Sequence, residues 1–354
     1  MTDSPIVEDQ TGVEVLQPDH YDYEGVEPEK PKIFVGGRKS KLAVVQSRYV
    51  ANSLRNVHPG LNFPVIAIST LGDKVHNRPL YAFGGKALWT KELETMLLEK
   101  VEGHEQVDMV VHSLKDMPTT LPEKCILGAI TEREDPRDAV IMKAGSPFNS
   151  LAELPKGSVV GTSSIRRSAQ LKRNFPGLLF ESVRGSVQTR IEKLDSEDSH
   201  YACIILAAAG LKRLDLGSRI TYYLDYPEMY YAVGQGALGV EIREGDHHIH
   251  ELIERINHKP TEYCCRAERN LMKTLEGGCS VPIGVNTSYD EQTSVLRLRG
   301  IVISVDGTNA VEDCIERRVK DAVGAEKVGS DLAALLIAKG AKAILDAIHL
   351  DHIN

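Results

Sequence analysis

The sequence predicts two doubly wound α/β domains followed by a small α+β domain, and three features carry this. Short apolar runs alternate with helix-period segments in two stretches of similar kind and size. A later strand-like run lies where it can return to the first stretch, and beyond about residue 258 the pattern changes to alternating strands with helices on either side. At 354 residues the chain is long enough for two or three domains, each with its own core.

In the first stretch an apolar run at Ile33–Val35 leads into a helix predicted over Leu42–Val57, with Leu42, Val45, Tyr49 and Val50 on one face. Ser40 is its expected N-cap, and Pro59-Gly60 closes it. A strand at Phe63–Ser69, a helix at about Ala87–Val101 and a strand at Val107–Ser113 come next. The alternation resumes after Pro136: strand Gly157–Gly161, helix Ser164–Asn174, strand Leu178–Val183, helix Val187–Leu194, strand Cys203–Ala209.

The run Ala232–Arg243 (AVGQGALGVEIR) ends as a strand that could rejoin the first unit, so the first domain is expected to be discontinuous. The remainder predicts a helix over Thr261–Thr274, strands such as Ser294–Ser304, a turn at Asp306-Gly307 and a helical segment near Lys327–Ile348. The expected boundaries are a disordered tail at 1–30, domain 1 at 31–131 with 235–257, domain 2 at 132–234 and domain 3 at 258–354.

The formal net charge of -8 belongs to the tail, where residues 1–30 hold nine Asp or Glu and one Lys and leave the rest balanced. With scattered Pro and few clustered apolar residues, such a segment cannot bury enough surface to order itself. Its acidity and lack of Arg argue against a mitochondrial transit peptide, and no apolar stretch succeeds a basic start as in a secretory signal. No run approaches the roughly 18 apolar residues of a membrane span, so a cytoplasmic protein is expected. Six Cys at 125, 203, 264, 265, 279 and 314 lack C-x-x-C spacing, which suits reduced thiols better than a disulfide framework or a zinc site.

Within the balanced body, residues 160–220 hold ten Arg or Lys against six Asp or Glu. Taken singly, ordinary ion pairs on solvated helix faces explain such residues. Placement argues for more. Thr162-Ser163-Ser164 comes after a strand and precedes Arg166-Arg167, so hydroxyls, backbone N–H groups and guanidiniums converge on a helix N-terminus that suits a carboxylate or phosphate. Arg184 and Arg38 each come directly after a strand, where open α/β sheets bind ligands. Several such forks imply a ligand with several anionic groups. Nucleic acid is disfavoured, because the body has no net positive charge and only one Trp and six Phe to stack bases.

Lys115 and Asp116 end the Val107–Ser113 strand, and a carboxylate at that edge can serve as acid, base or cation stabiliser, although a local ion pair or helix cap would equally explain the pair. In LEGGCSVPIG at 275–284, two Gly free the backbone and Pro282 stiffens the exit, leaving Cys279 on a turn that suits a nucleophile or attachment point. A small core hydrophobe is the commoner fate of a cysteine. Gly234–Gly239 matches G-x-G-x-x-G, but it leads into a strand-like run, so the dinucleotide fingerprint is rejected. The histidines at 247, 248 and 250 read as a solvated linker, and no metal site is expected.

Taken together, GRKSKLA at 37–43, FGGKALWTKELE at 83–94, VHSLKDMP at 111–118, GTSSIRRSAQL at 161–171, SVRGSVQTR at 182–190, AVGQGALG at 232–239 and LEGGCSVPIG at 275–284 resemble the porphobilinogen deaminase family. The resemblance runs from about Lys32 to the last helix. It implies three domains, with a cofactor in a cleft between the first two and its anchoring Cys on a loop of the third. It implies hydroxymethylbilane synthase activity, a transferase step of tetrapyrrole (heme) biosynthesis: four porphobilinogen molecules are joined head to tail, releasing ammonia and then linear hydroxymethylbilane. Neither metal nor nucleotide is implied.

By the same resemblance the cofactor is a dipyrromethane held through a thioether to Cys279. Lys115, Ser163, Ser164, Arg166, Arg167 and Arg190 would hold its acetate and propionate groups. Arg38, Ser40, Gln46, Arg184 and Arg213 would hold incoming substrate or the growing chain, and Asp116 is the implied catalytic carboxylate. Ser186 departs from the family pattern, where many members have Asn. Domain movement during elongation would hinge near Glu132–Pro136 and Tyr230–Gly234, and a monomer is implied. The rival reading is a solute receptor, since two α/β lobes with an anion site also describe periplasmic binding proteins. Such a receptor needs neither a modified Cys nor Asp116.

Overall fold

The structure is a computed structural model and describes residues 29–69, 90–101, 105–275 and 281–351. The tail expected at 1–30 lies almost wholly outside the described residues. The described residues pack as two compact units, one from those within Met1–Glu132 and Ala237–Glu262, the other from those within Arg133–Gly236 and Tyr263–Asn354.

The first unit is built on five strands: β1 (Val35–Arg38), β2 (Val65–Ile68), β3 (Met109–Ser113), β4 (Cys125–Ile130) and, from much later in the chain, β10 (Leu238–Arg243). They form one sheet in the order β2-β1-β3-β10-β4. β1, β2 and β3 are parallel, and their near-continuous apolar runs reflect burial on both faces. One face is covered by α1 (Lys41–Val57), whose Val50, Ala51 and Leu54 pack with Met109, Val111 and Val240. The other is covered by α2 (Lys91–Leu98), whose Leu93, Met96 and Leu97 pack with Ile66, Ile68 and Val110. The helix expected from Ala87 to Val101 is shorter among the described residues, ending where Glu99 turns extended.

β10 runs antiparallel between β3 and β4, so the Ala232–Arg243 segment does return to the first sheet. The histidines beyond it do not form the loop expected there. They belong to a helix, α6 (His247–Glu254), with Asp246 accepting from Ile249 N at 3.2 Å as N-cap. Ile249, Leu252 and Ile253 are its buried positions, an i, i+3, i+4 stripe that the three histidines of the first turn disguise.

The second unit carries two sheets. The strands of one are β5 (Asp138–Met142), β6 (Val159–Gly161), β7 (Leu179–Glu181), β8 (Tyr201–Ala207) and β9 (Tyr222–Leu224), in the order β7-β6-β8-β5-β9. It repeats the first design of three parallel strands beside an antiparallel one, but here the antiparallel strand, β5, is the one that directly precedes β6 in the chain. Helices α3 (Ile165–Asn174), α4 (Val187–Asp195) and α5 (Ala208–Arg213) connect it. β5 is short and wholly buried, and sequence pattern does not separate it from its surroundings.

The third sheet is an antiparallel meander of β11 (Ile283–Asp290), β12 (Val295–Ile303) and β13 (Ala310–Arg318). Helices α7 (Lys259–Thr274) and α8 (Ala322–Ala338) bury Leu271, Leu332 and Leu336 against its Val285, Leu298 and Val302. The single helical segment expected near Lys327–Ile348 is two helices. Gly340 takes φ +102° after α8, a conformation nearly closed to other residues, and α9 (Ala341–Asp351) starts beyond it.

α8 approaches α7 closely at Gly329, where a Cβ would meet the Ala267 carbonyl oxygen at 2.1 Å and Leu271 N at 2.8 Å. Both are backbone atoms that cannot swing aside, so the helices would have to separate. Gly329→Ala is therefore expected to destabilise the second unit by about 1–3 kcal/mol despite the better helix propensity of Ala. Chemical denaturation checks this, and a variant as stable as the parent would contradict it.

Candidate active site

In the first unit the polar groups gather at the carboxyl ends of β1 and β3, which flank the point where strand order reverses. Arg38 is the last residue of β1. Ser40 N-caps α1 with φ -60° and ψ 145°, its side chain accepting from Ala43 N at 3.4 Å. Gln46 sits farther along α1, and its amide straddles the hydroxyl of Ser113 at the end of β3: Nε2 donates to Ser113 Oγ at 2.8 Å, and the hydroxyl lies 3.1 Å from Oε1. Lys115 and Asp116 lie on a single 3-10 turn, Leu114–Asp116, directly after that strand.

A cavity of about 80 Å³ is lined by Arg38, Ser40, Gln46, His112, Ser113 and Asp116. Four residues expected from sequence thus share one pocket. Ser113 and His112 are members that the sequence does not single out. Ser113 carries no signal beyond its place in VHSLKDMP, and His112 reads from pattern as an ordinary strand residue.

In the second unit Ser163 and Ser164 stand between β6 and α3. Ser164 caps α3, accepting from Arg167 N at 3.4 Å, while Ser163 Oγ donates to Val183 O at 2.7 Å and lies 2.8 Å from Ser182 Oγ. Arg166 and Arg167 are buried rather than splayed toward solvent. Arg166 Nη1 donates to Asp138 Oδ2 at 2.7 Å and to Tyr230 O at 2.6 Å. Arg167 Nε donates to the other oxygen, Oδ1, at 2.9 Å, and its Nη1 to Ile205 O at 3.0 Å.

Asp138 is fully buried at the start of β5. Burial opposes its ionisation, but the two guanidiniums and the Gln235 amide, 2.9 Å from Oδ1, overcome this and hold the carboxyl far below the usual range. Spacing along the sequence marks neither Asp138 nor Gln235 as a site residue, since they lie 97 residues apart; only Gln235 falls within a family motif.

Arg190, on α4, differs from these. Its Nε donates to Gly185 O at 2.9 Å, and no carboxylate faces it among the described residues. Burial, then the like charges of Arg167 and Arg184, depress its guanidinium to about 10. Such a group gains by meeting an anion. Arg184 Nε lies 3.4 Å from Ser182 Oγ, and Arg213 Nη2 donates to Gly236 O at 2.8 Å. Ser186 is the N-cap of α4, accepting from Thr189 N at 3.1 Å, a role Asn fills equally well. Cys279 lies outside the described residues. No group of three or more His, Cys, Asp or Glu able to hold a metal occurs among the described residues.

Comparison with known proteins identifies the family. The family profile described as "Porphobilinogen deaminase, dipyromethane cofactor binding domain" matches residues 33–251, and "Porphobilinogen deaminase, C-terminal domain" matches residues 262–338. The chain belongs to the porphobilinogen deaminase family. The porphobilinogen deaminase of Yarrowia lipolytica is 62% identical over 92% of this chain and 96% of its own length. Those of Debaryomyces hansenii and Saccharomyces cerevisiae are 57% and 52% identical, over 90% and 91% of this chain and 89% and 98% of theirs. Among solved structures, the periplasmic aliphatic sulphonate binding protein SsuA from Escherichia coli is 11% identical with a TM-score of 0.35, over 70% of this chain and 75% of that one. The sheet orders, not this distant likeness, carry the two-lobed α/β fold. Porphobilinogen deaminases use a dipyrromethane cofactor, and the donor set of the second unit fits one. Capped serines, a helix N-terminus and an arginine whose charge lacks a carboxylate suit a ligand bearing acetate and propionate groups.

Replacing Asp138 with Asn removes the charge that permits Arg166 and Arg167 to be buried. The expected cost is about 3–5 kcal/mol at neutral pH. Because the native carboxyl is depressed, its contribution is complete above the ordinary carboxylate range near pH 4 and is lost only in stronger acid. Denaturation of both chains from pH 7 downward checks this: the difference should persist to about pH 4 and narrow below it.

Proposed function

We propose that the first-unit pocket receives porphobilinogen and the tip of the growing chain, while the basic cluster of the second unit holds the carboxylates of the dipyrromethane cofactor. The protein catalyses the hydroxymethylbilane synthase reaction, the stepwise head-to-tail condensation of four porphobilinogen molecules in tetrapyrrole biosynthesis. The observation that carries the residue assignment is the pocket that unites Arg38, Ser40, Gln46 and Asp116 at the carboxyl ends of β1 and β3. In that pocket Arg38 neutralises a substrate carboxylate, and Ser40 and Gln46 orient it through hydrogen bonds. The carboxylate of Asp116 stabilises the cation that forms on the substrate when ammonia leaves.

In the second unit Arg190 supplies charge for the cofactor's acidic side chains, with Ser163 and Ser164 at the α3 N-terminus; Lys115 is assigned the same role. Arg166 and Arg167 offer the donors that Asp138, Tyr230 and Ile205 leave unused, and Arg184 and Arg213 meet the incoming substrate or the growing chain. When bound, the cofactor supplies a nucleophilic pyrrole carbon. Its anchor is Cys279, through a thioether. The thiols of Cys125, Cys203 and Cys264 are pushed up to about 12, chiefly by burial, and that of Cys265 higher still, so these four are poor nucleophiles. We place the domain boundaries at 131/132, 234/235 and 257/258, the hinges of elongation at 132–136 and 230–234, and the protein in the cytoplasm as a monomer that binds neither nucleic acid nor membrane. Among the described residues no helix is long and apolar enough to cross a membrane.

Two measurements test this. Intact mass of the denatured chain, followed by mapping of the peptide around Cys279, should find two pyrrole units; an unmodified chain that gains no mass with porphobilinogen would contradict it and favour a solute receptor. Asp116→Asn should lower turnover by about 10²–10³-fold, while its denaturation midpoint stays near that of the parent, as expected for an exposed position. Near-normal activity in that variant would remove Asp116 from its role.

A further inference from the structure

The pocket of the first unit contains a residue without a part in the proposed substrate contacts. His112 lies on β3 beside Ser113 and lines the cavity, yet it is only 7% exposed. Strand alternation turns it to the face opposite Ser113, the face that α2 covers. There its Nε2 is 2.7 Å from Oε2 of Glu241, which is fully buried on the neighbouring β10. The other oxygen, Oε1, is buried without a hydrogen-bond partner. None of the ring's hydrogen bonds engages Nδ1 among the described residues.

A carboxylate this deeply buried requires a cation or a proton beside it. His112 bonds it through Nε2, and the Cys125 thiol on β4 lies within hydrogen-bond reach as well. An ionised Glu241 fixes the proton on Nε2 and leaves the Nδ1 lone pair unused in the neutral ring. The other titratable or charged groups around the ring are Glu94 on α2 and Cys125 on β4 on the buried side, with Arg38 and Asp116 on the pocket side. Burial, and then the charge of Glu241, push the Glu94 carboxyl up, and the Cys125 thiol is likewise held neutral by burial.

We propose that His112, held by Glu241, is the proton carrier of this pocket, accepting at Nδ1 the proton shed when the new carbon–carbon bond forms. The inference rests on the proposed assignment of porphobilinogen to this pocket. Its balance is closed. The substrate's aminomethyl group enters as an ammonium and departs as NH3 with the C–N electron pair. The ring carbon that bonds to the vacated methylene loses its hydrogen as a proton. The Nδ1 lone pair takes that proton and passes it to NH3, which leaves as ammonium and returns His112 to the neutral form. Asp116 supplies charge stabilisation and His112 the proton transfer, a division that suits imidazole, whose ordinary pKa lies near neutrality.

The test uses the full chain with its cofactor, labelled with ¹⁵N-histidine, and reads the imidazole nitrogens from pH 5.5 to 9. His112 is assigned by its loss in His112→Gln, whose amide can still donate to Glu241. The expected result is a protonated Nε2 and an unprotonated Nδ1 at neutral pH. In turnover, His112→Gln should lower kcat by about 10²-fold, keep KM within about threefold, and abolish the acid limb of the kcat profile that tracks the NMR titration. A proton on Nδ1 in the neutral ring, a ring that stays charged across the range, or a His112→Gln enzyme with near-parental kcat overturns the proposal. Should that variant fail to fold, assignment comes from the shift that Glu241→Gln causes, and the tautomer in the unsubstituted enzyme decides. A parent chain that makes no hydroxymethylbilane from porphobilinogen overturns the underlying substrate assignment; parental turnover beside an indifferent His112→Gln overturns this inference alone.

Discussion

The ionised carboxylate of Asp138 holds the second unit's site together. It starts β5 with no exposure to water, and it is tolerable there only because two guanidiniums and the Gln235 amide converge on its two oxygens. Those guanidiniums also bond the carbonyls of Tyr230 and Ile205, so one charge ties β5, α3, β8 and the segment returning toward residue 235. Removing one partner of such a cluster leaves buried charge uncompensated, and this is why the cluster fixes geometry more than it adds net stability. A second buried pair works the same way. Arg133 makes a two-pronged contact to Glu268, at 2.6 and 2.9 Å, and Glu268 also accepts from Gly234 N, joining α7 to both segments where the chain changes unit.

The two α/β sheets solve one topological problem twice. Three parallel strands present their carboxyl ends, and an antiparallel strand is paired beside them: β10 from far along the chain in the first sheet, and β5, which directly precedes β6, in the second. The polar groups set at those ends differ in sign and purpose. The first unit offers a carboxylate and an imidazole beside one arginine, a composition suited to moving charge and protons. The second offers guanidiniums with too little negative charge nearby, seen directly in the depressed Arg190, a composition suited to holding a polyanion still.

Much of this was legible. Ser40 and Ser164 are readable as caps because a short hydroxyl before an apolar-periodic run has a local reason to be there. The parallel strands are readable because burial on both faces leaves unbroken apolar runs. The failures have physical causes as well. β5 is five residues long and comes after a charged crossover, so no period could develop. α6 is hidden by the histidines at 247, 248 and 250 that crowd its first turn. The helix after Lys327 divides at Gly340, where a backbone angle, not a change in composition, ends α8.

Local pattern and motif thus determined the fold class, the return of β10 to the first sheet, the basic window and the family. These are properties of neighbouring residues, and the chain carries them before it folds. Tertiary structure decided the partners. Arg166 and Arg167 face a carboxylate 28 and 29 residues away, and His112 meets Glu241 across 129 residues. Which charge is compensated and which stands ready for a ligand depends on such distant pairings, because a buried charge is set by what lies within hydrogen-bond reach and not by what adjoins it in sequence.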